Sequence, residues 1–168
     1  MYNDKTNFID GIDSDTCQKI LNSSTIISET LEFYYLGKCV SDSFDTLIQW
    51  SYSANPSSNY IMRNLHTAER LVRGFLFELR TCLDHMETKI KQEYGKTSEF
   101  LKVFEDSTHA TYNAHPEYAF TYHLRNVSQH CQNIVHGFNS PTGIGISCNV
   151  QKLLNEYDKW KPVDKDYM

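Results

Sequence analysis

In the nine residues Tyr122-His123-Leu124-Arg125-Asn126-Val127-Ser128-Gln129-His130, the chain sets an arginine, a carboxamide and an imidazole in close succession. These side-chain types can work together on an anionic group. Imidazole titrates near neutral pH and so can take up and return a proton. The planar guanidinium of Arg125 can donate two parallel hydrogen bonds to oxygens that carry or gain negative charge. Asn126 stands four residues before His130, on the same face of a helix, where it can orient the ring or bind a ligand directly. His123 lies one turn earlier on that stripe, and Tyr118 and Tyr122 share a line with Arg125 that can offer rings for stacking. Arg125 and His130 are five residues apart, about 140° around an ideal helix. One helix by itself therefore does not turn both toward the same side.

The elements that must hold these residues are helical. From Ile61 the apolar positions Leu65, Ala68, Val72, Phe75, Leu79, Leu83, Met86 and Ile90 recur in steps of three and four, which predicts one long central helix over about 58–94. Gly95 suits the left-handed position that closes it, and Gly74 in its interior is a point for a bend or a close helix crossing. An earlier helix is expected over about 25–51, with Gly37 able to interrupt it, and a turn-rich stop from Ser53 to Ser58. Thr97 and Ser98 can cap a short third helix through Phe104, expected to break down in the polar run from Asp106 to His115. Pro116 fits the first turn of a fourth helix and Gly137 its end. That helix carries Phe120, Leu124, Val127, Cys131 and Ile134 as a core stripe, with Ala119, His123, Asn126, His130 and Asn133 one position earlier as a mostly polar border. A loop at Pro141, Gly143 and Gly145, a short extended stretch and a last helix over about 150–160 complete the chain. The expected fold is all-α, an antiparallel bundle of four to five helices in a single domain over 1–168, with its core over about 25–136 and an irregular segment over 137–168.

The Arg125-Asn126-x3-His130 segment on a late helix of such a bundle resembles the motif of the HEPN superfamily, in which an Arg and a directly following polar residue precede a His by four to six intervening positions. The resemblance covers the helical order over about 25–136 and rests on these residues. It implies a metal-independent endoribonuclease in which the motif helices of two protomers meet, so that a homodimer forms one composite site on RNA. His130 would then move the proton of an attacking 2′-hydroxyl, Arg125 would bind the phosphate oxygens and Asn126 would assist, with His123, Tyr118 and Tyr122 positioning substrate. The settings implied are toxin-antitoxin pairs, with an antitoxin as a further protein partner, and antiphage defence. The alternative implied by the same resemblance is a non-catalytic helical module that binds a protein partner or a nucleotide. Arg80-Thr81-Cys82-Leu83-Asp84-His85 repeats the Arg-x4-His spacing earlier in the chain, without the Asn and on the long helix.

Other chemistries find less support. His109, His115, His123, His130 and His136 cluster in sequence, yet no two His stand at i and i+4 and no two Cys are separated by two residues, so neither a metal nor any cofactor is expected. There is no Gly-x-Ser-x-Gly, and Gly143-Ile144-Gly145 lacks the rest of a phosphate-binding loop. Five Cys at scattered positions read as reduced thiols. The net charge of −5 is uneven: residues 1–50 hold three Lys against eight Asp and Glu, which leaves residues 51–168 neutral. A general nucleic-acid coat is thereby excluded, and RNA would have to be held by a local site. No apolar run approaches the length of a membrane span and no basic, apolar leader opens the chain, so a cytoplasmic protein without membrane contact is expected.

Overall fold

The computed structural model describes residues 13–54, 61–130, 133–139, 145–157 and 160. Its elements run α1 (Ser14–Ser53), α2 (Ile61–Tyr94), α3 (Glu99–Ala114), α4 (Pro116–His130), β1 (Gly137–Asn139), β2 (Gly145–Ser147) and α5 (Val150–Glu156). The fold is all-α, with β1 and β2 forming a small antiparallel hairpin in which Phe138 pairs with Ile146. The chain divides into two compact units, Met1–Tyr35 and Leu36–Met168, and α1 supplies helix to both.

Local chemistry explains most of the boundaries. α1 begins eleven residues earlier than the apolar pattern predicts, because Asp13 caps it: its Oδ1 accepts from the Thr16 backbone N–H at 2.9 Å and its Oδ2 from the Thr16 hydroxyl at 2.7 Å. These bonds hold the Asp13 carboxyl below its ordinary range, since they favour the charged form. Gly37 lies inside α1 without interrupting it. α2 ends as expected, with Gly95 at φ +90°, and Ser98 caps α3 by accepting from the Leu101 N–H at 3.2 Å. At Gly74 no atom of a neighbouring element among the described residues comes within 4 Å of where a Cβ would stand, so none of those elements crosses closely there.

Two expectations about helix ends are corrected. α3 continues through the polar run to Ala114, where Ser107, Thr108 and Thr111 turn their hydroxyls back onto carbonyls of the preceding turn and leave the helical ladder intact. α4 is described to His130 and does not reach Gly137: the Ile134 and Val135 amides bond instead to a side chain of α2.

In the second unit, α2, α3 and α4 pack together, and the core joins Ala68 and Leu76 of α2 to Leu124 and Val127 of α4. Trp50 of α1 packs against it, and Phe44 sits 5.4 Å from Phe75 between ring centroids. The core also extends beyond the expected limit at 136. Leu153, Tyr157 and Trp160 are buried in it alongside Ile134 and Val135. Trp160 stacks on Phe120, with centroids 6.0 Å apart and planes 14° apart, and its indole N–H donates to the Leu153 carbonyl at 3.0 Å. The C-terminal segment is thus a structural strap across α4.

Candidate active site

α4 lies with one side in the core and its C-terminal end at the surface, which sets the surroundings of each motif residue. A pocket of about 470 Å³ opens between α2 and that end, lined by Arg73 and Phe77 from α2 and by Arg125, Ser128, Gln129 and His130 from α4. Arg125 and His130 therefore border one cavity within a single chain, although about 140° of helix separates them. The angular argument failed because α2 forms the facing wall, so that residues on either flank of α4 both reach the space. His130, the last residue of α4, is exposed.

Arg125 is half-buried. Its Nη1 donates to the Asn126 side-chain oxygen at 3.1 Å, and its buried Nε has no hydrogen-bond partner among the described residues. Asn126 thus engages Arg125, where the helical spacing had pointed to His130. That Nε is a buried donor left unsatisfied among the described residues, while the guanidinium as a whole borders the pocket.

The pocket owes its shape to two residues that sequence reasoning passed over. Glu69, on α2, is buried, and its carboxylate accepts from the Ile134 N–H at 3.0 Å and the Val135 N–H at 2.8 Å. It also pairs with Arg73 one turn along, Nε to Oε1, at 2.6 Å. Arg73 in turn donates from Nη1 to the Ser128 carbonyl at 2.6 Å, satisfying an acceptor in the last turn of α4, where helical partners run out. The Glu69–Arg73 pair consequently clamps the end of the motif helix and the chain that follows it. In the sequence it reads as an ordinary i, i+4 ion pair on a solvated face. The signal that could have found it is the position of Glu69 directly after the core residue Ala68, on the border of the apolar stripe.

The three candidate positioning residues lie elsewhere. His123 is buried at 6% exposure, with its Nε2 2.6 Å from the Tyr112 hydroxyl and its ring against Tyr157 and Trp160. Tyr118, Tyr122 and His123 line a separate cavity of about 530 Å³ among α2, α3 and α4, which also takes in Arg80, His109 and Tyr112. Arg80 sits over the Tyr122 ring, 5.4 Å from its centroid, and holds Asp84 at 2.7 Å. Burial pushes the Tyr118 hydroxyl's pKa up. A narrow crevice is bordered by Tyr118 and Tyr122 on the one hand and by Arg125 on the other.

Among the described residues no three His, Cys, Asp or Glu side chains come close enough together to hold a metal ion. Cys131 lies outside the described residues. Comparison of the chain with protein-family models, with curated proteins and with solved structures finds no match.

Proposed function

We propose that this protein is a metal-independent endoribonuclease of HEPN type, working in a toxin-antitoxin or antiphage defence setting as a homodimer with a composite site. The observation that carries the reading is the shared pocket: Arg125 and His130 line it together with a second cation, Arg73. That set suits intramolecular phosphoryl transfer. His130 accepts the proton of a ribose 2′-hydroxyl as its oxygen bonds to the adjacent phosphorus. Arg125 binds the non-bridging oxygens as their charge grows. The P–O5′ bond then breaks and the leaving oxygen takes a proton from the second copy's His130. The products are a 2′,3′-cyclic phosphate and a 5′-hydroxyl, and no metal or cofactor enters. With residues 51–168 neutral overall, affinity for RNA depends on these local cations and weakens with added salt.

The test is sizing and cleavage of a mixed RNA pool, run in parallel on the wild type, Arg125→Ala and His130→Ala. The proposal expects dimers throughout, cleavage by the wild type in the presence of a chelator, and a loss of about 10²–10⁴-fold in each variant. A dimer that cuts equally well without His130 would overturn it.

A second reading, a non-catalytic module that binds a nucleotide, is favoured by the cavity of about 530 Å³, whose tyrosine rings and Arg80 suit a base and its phosphate. It predicts mononucleotide binding that is weakened by Tyr122→Ala and no cleavage of any RNA.

A further inference from the structure

The N-terminal unit carries a helical surface that the composite site does not use. Over residues 14–35, α1 follows a heptad pattern. Cys17, Ile20, Ser24, Ile27, Leu31 and Tyr34 alternate in steps of three and four as seam positions, with Leu21, Ser28 and Tyr35 along one flank and Thr16, Ser23 and Thr30 along the other. All four charged residues of this stretch, Asp15, Lys19, Glu29 and Glu32, fall on the outer positions, where Lys19 pairs with Asp15 at 2.6 Å. Ile26 and Phe33 are the two large apolar residues outside the seam and its flanks.

No residue of α1 is buried, and Ile20, Leu21, Ile27, Leu31, Tyr34 and Tyr35 are 46% to 61% exposed. Together they present on the order of 600 Å² of side-chain surface, against the roughly 800 Å² that each partner contributes to a standard interface. A patch of this size and composition is characteristic of a protein–protein surface.

We infer that α1 pairs with α1 of a second copy as an antiparallel coiled coil across a two-fold axis near residues 25 and 26. The matching of side-chain sizes selects this partner and this direction. With residue n of one copy opposite residue 51 − n of the other, the layers are Cys17 against Tyr34, Ile20 against Leu31 and Ser24 against Ile27. Each layer joins the two kinds of seam position, as antiparallel pairing requires, and in two of them a small side chain faces a large one. A parallel pair in register would instead stack Tyr34 on Tyr34 and leave Ser24 facing Ser24. No charged residue lies in the seam of either arrangement, so the second copy meets no like charge. The contact is isologous and closes on itself. It is independent of the motif on α4 and holds whether or not that motif cleaves RNA.

The experiment uses the full-length chain. Sedimentation over a range of concentrations should show self-association of the wild type that weakens by at least about tenfold, at unchanged helicity, in Ile27→Glu/Leu31→Glu, with any dimer that remains held through α4. A variant that associates as tightly as the wild type would overturn the α1 pairing while leaving a dimer through α4 intact, which separates this inference from the proposed function. Direction is read by mild oxidation and peptide mapping. Tyr34→Cys should add a disulfide between Cys17 and position 34 of the other copy, whereas the wild type should form none between two Cys17 residues. A Cys17–Cys17 link in the wild type, or a monomeric wild type, would overturn the inference.

Discussion

Replacing Glu69 should unfasten the end of the motif helix. Its side chain is 12% exposed and serves three donors at once: the Ile134 and Val135 amides, both on buried residues, and Arg73. In Glu69→Ala the two amides lose their acceptor where water enters poorly, at about 1–3 kcal/mol each. The Arg73 guanidinium is 40% exposed, so its lost ion pair contributes no more than about 1 kcal/mol. The expected total is about 3–5 kcal/mol, a large share of the roughly 5–15 kcal/mol that holds a domain folded. Glu69→Gln keeps one acceptor oxygen but turns an amide N–H toward a donor, and should cost about half as much. Arg73→Ala leaves the Ser128 carbonyl without its donor, at about 1–2 kcal/mol, and the two replacements together should cost less than their sum because they disable one clamp. Urea midpoints report the stabilities, and amide hydrogen exchange at Ile134 and Val135 reports the local effect. A Glu69→Gln protein within about 0.5 kcal/mol of wild type, with both amides still protected, would refute the clamp.

Trp160→Ala should cost about 3–5 kcal/mol by opening a cavity beside Phe120, measured by urea unfolding, and would show that the C-terminal strap belongs to the core. The two helix glycines should respond with opposite signs in the same assay. Gly74→Ala fills empty space inside α2 and should stabilise by about 0.5–1 kcal/mol, whereas Gly95→Ala must hold φ +90° and should destabilise by about 1–2 kcal/mol. Acid should fray the start of α1. Because the Asp13 pKa is lowered in the fold, its capping contribution is complete above the ordinary carboxylate range and fades as pH falls through the lowered value. The Thr16 amide shift in an NMR titration follows this, and Asp13→Asn should remove the dependence.

Much of the helical framework was legible because local chemistry fixes it. The apolar period of α2, the left-handed Gly95, the Ser98 cap and Pro116 at the head of α4 each act within a turn or two of chain. The errors arose where a side chain decides the outcome against the pattern. Asp13 starts α1 eleven residues before the expected boundary at 25, and the hydroxyls of α3 carry a polar run through as helix. Trp160 returns to the core from beyond Gly137, Gly143 and Gly145, a tertiary contact with no periodic signature. In the candidate site, the motif residues could be picked out, but their surroundings could not. That Arg125 and His130 border one pocket depends on Arg73 and Phe77, 48 to 57 residues away in sequence. The tyrosines sort into a different cavity because α3 supplies Tyr112 and His109 opposite them.

The measurement that bears most directly on the central claim is the chemistry of RNA ends after incubation with chelator, for the wild type beside His130→Ala. If Arg125 and His130 act on phosphate from one pocket, the wild type leaves 2′,3′-cyclic phosphates and 5′-hydroxyls while the folded variant leaves RNA intact. Equal cleavage by both proteins, or an inert wild type in its dimeric form, would contradict the account.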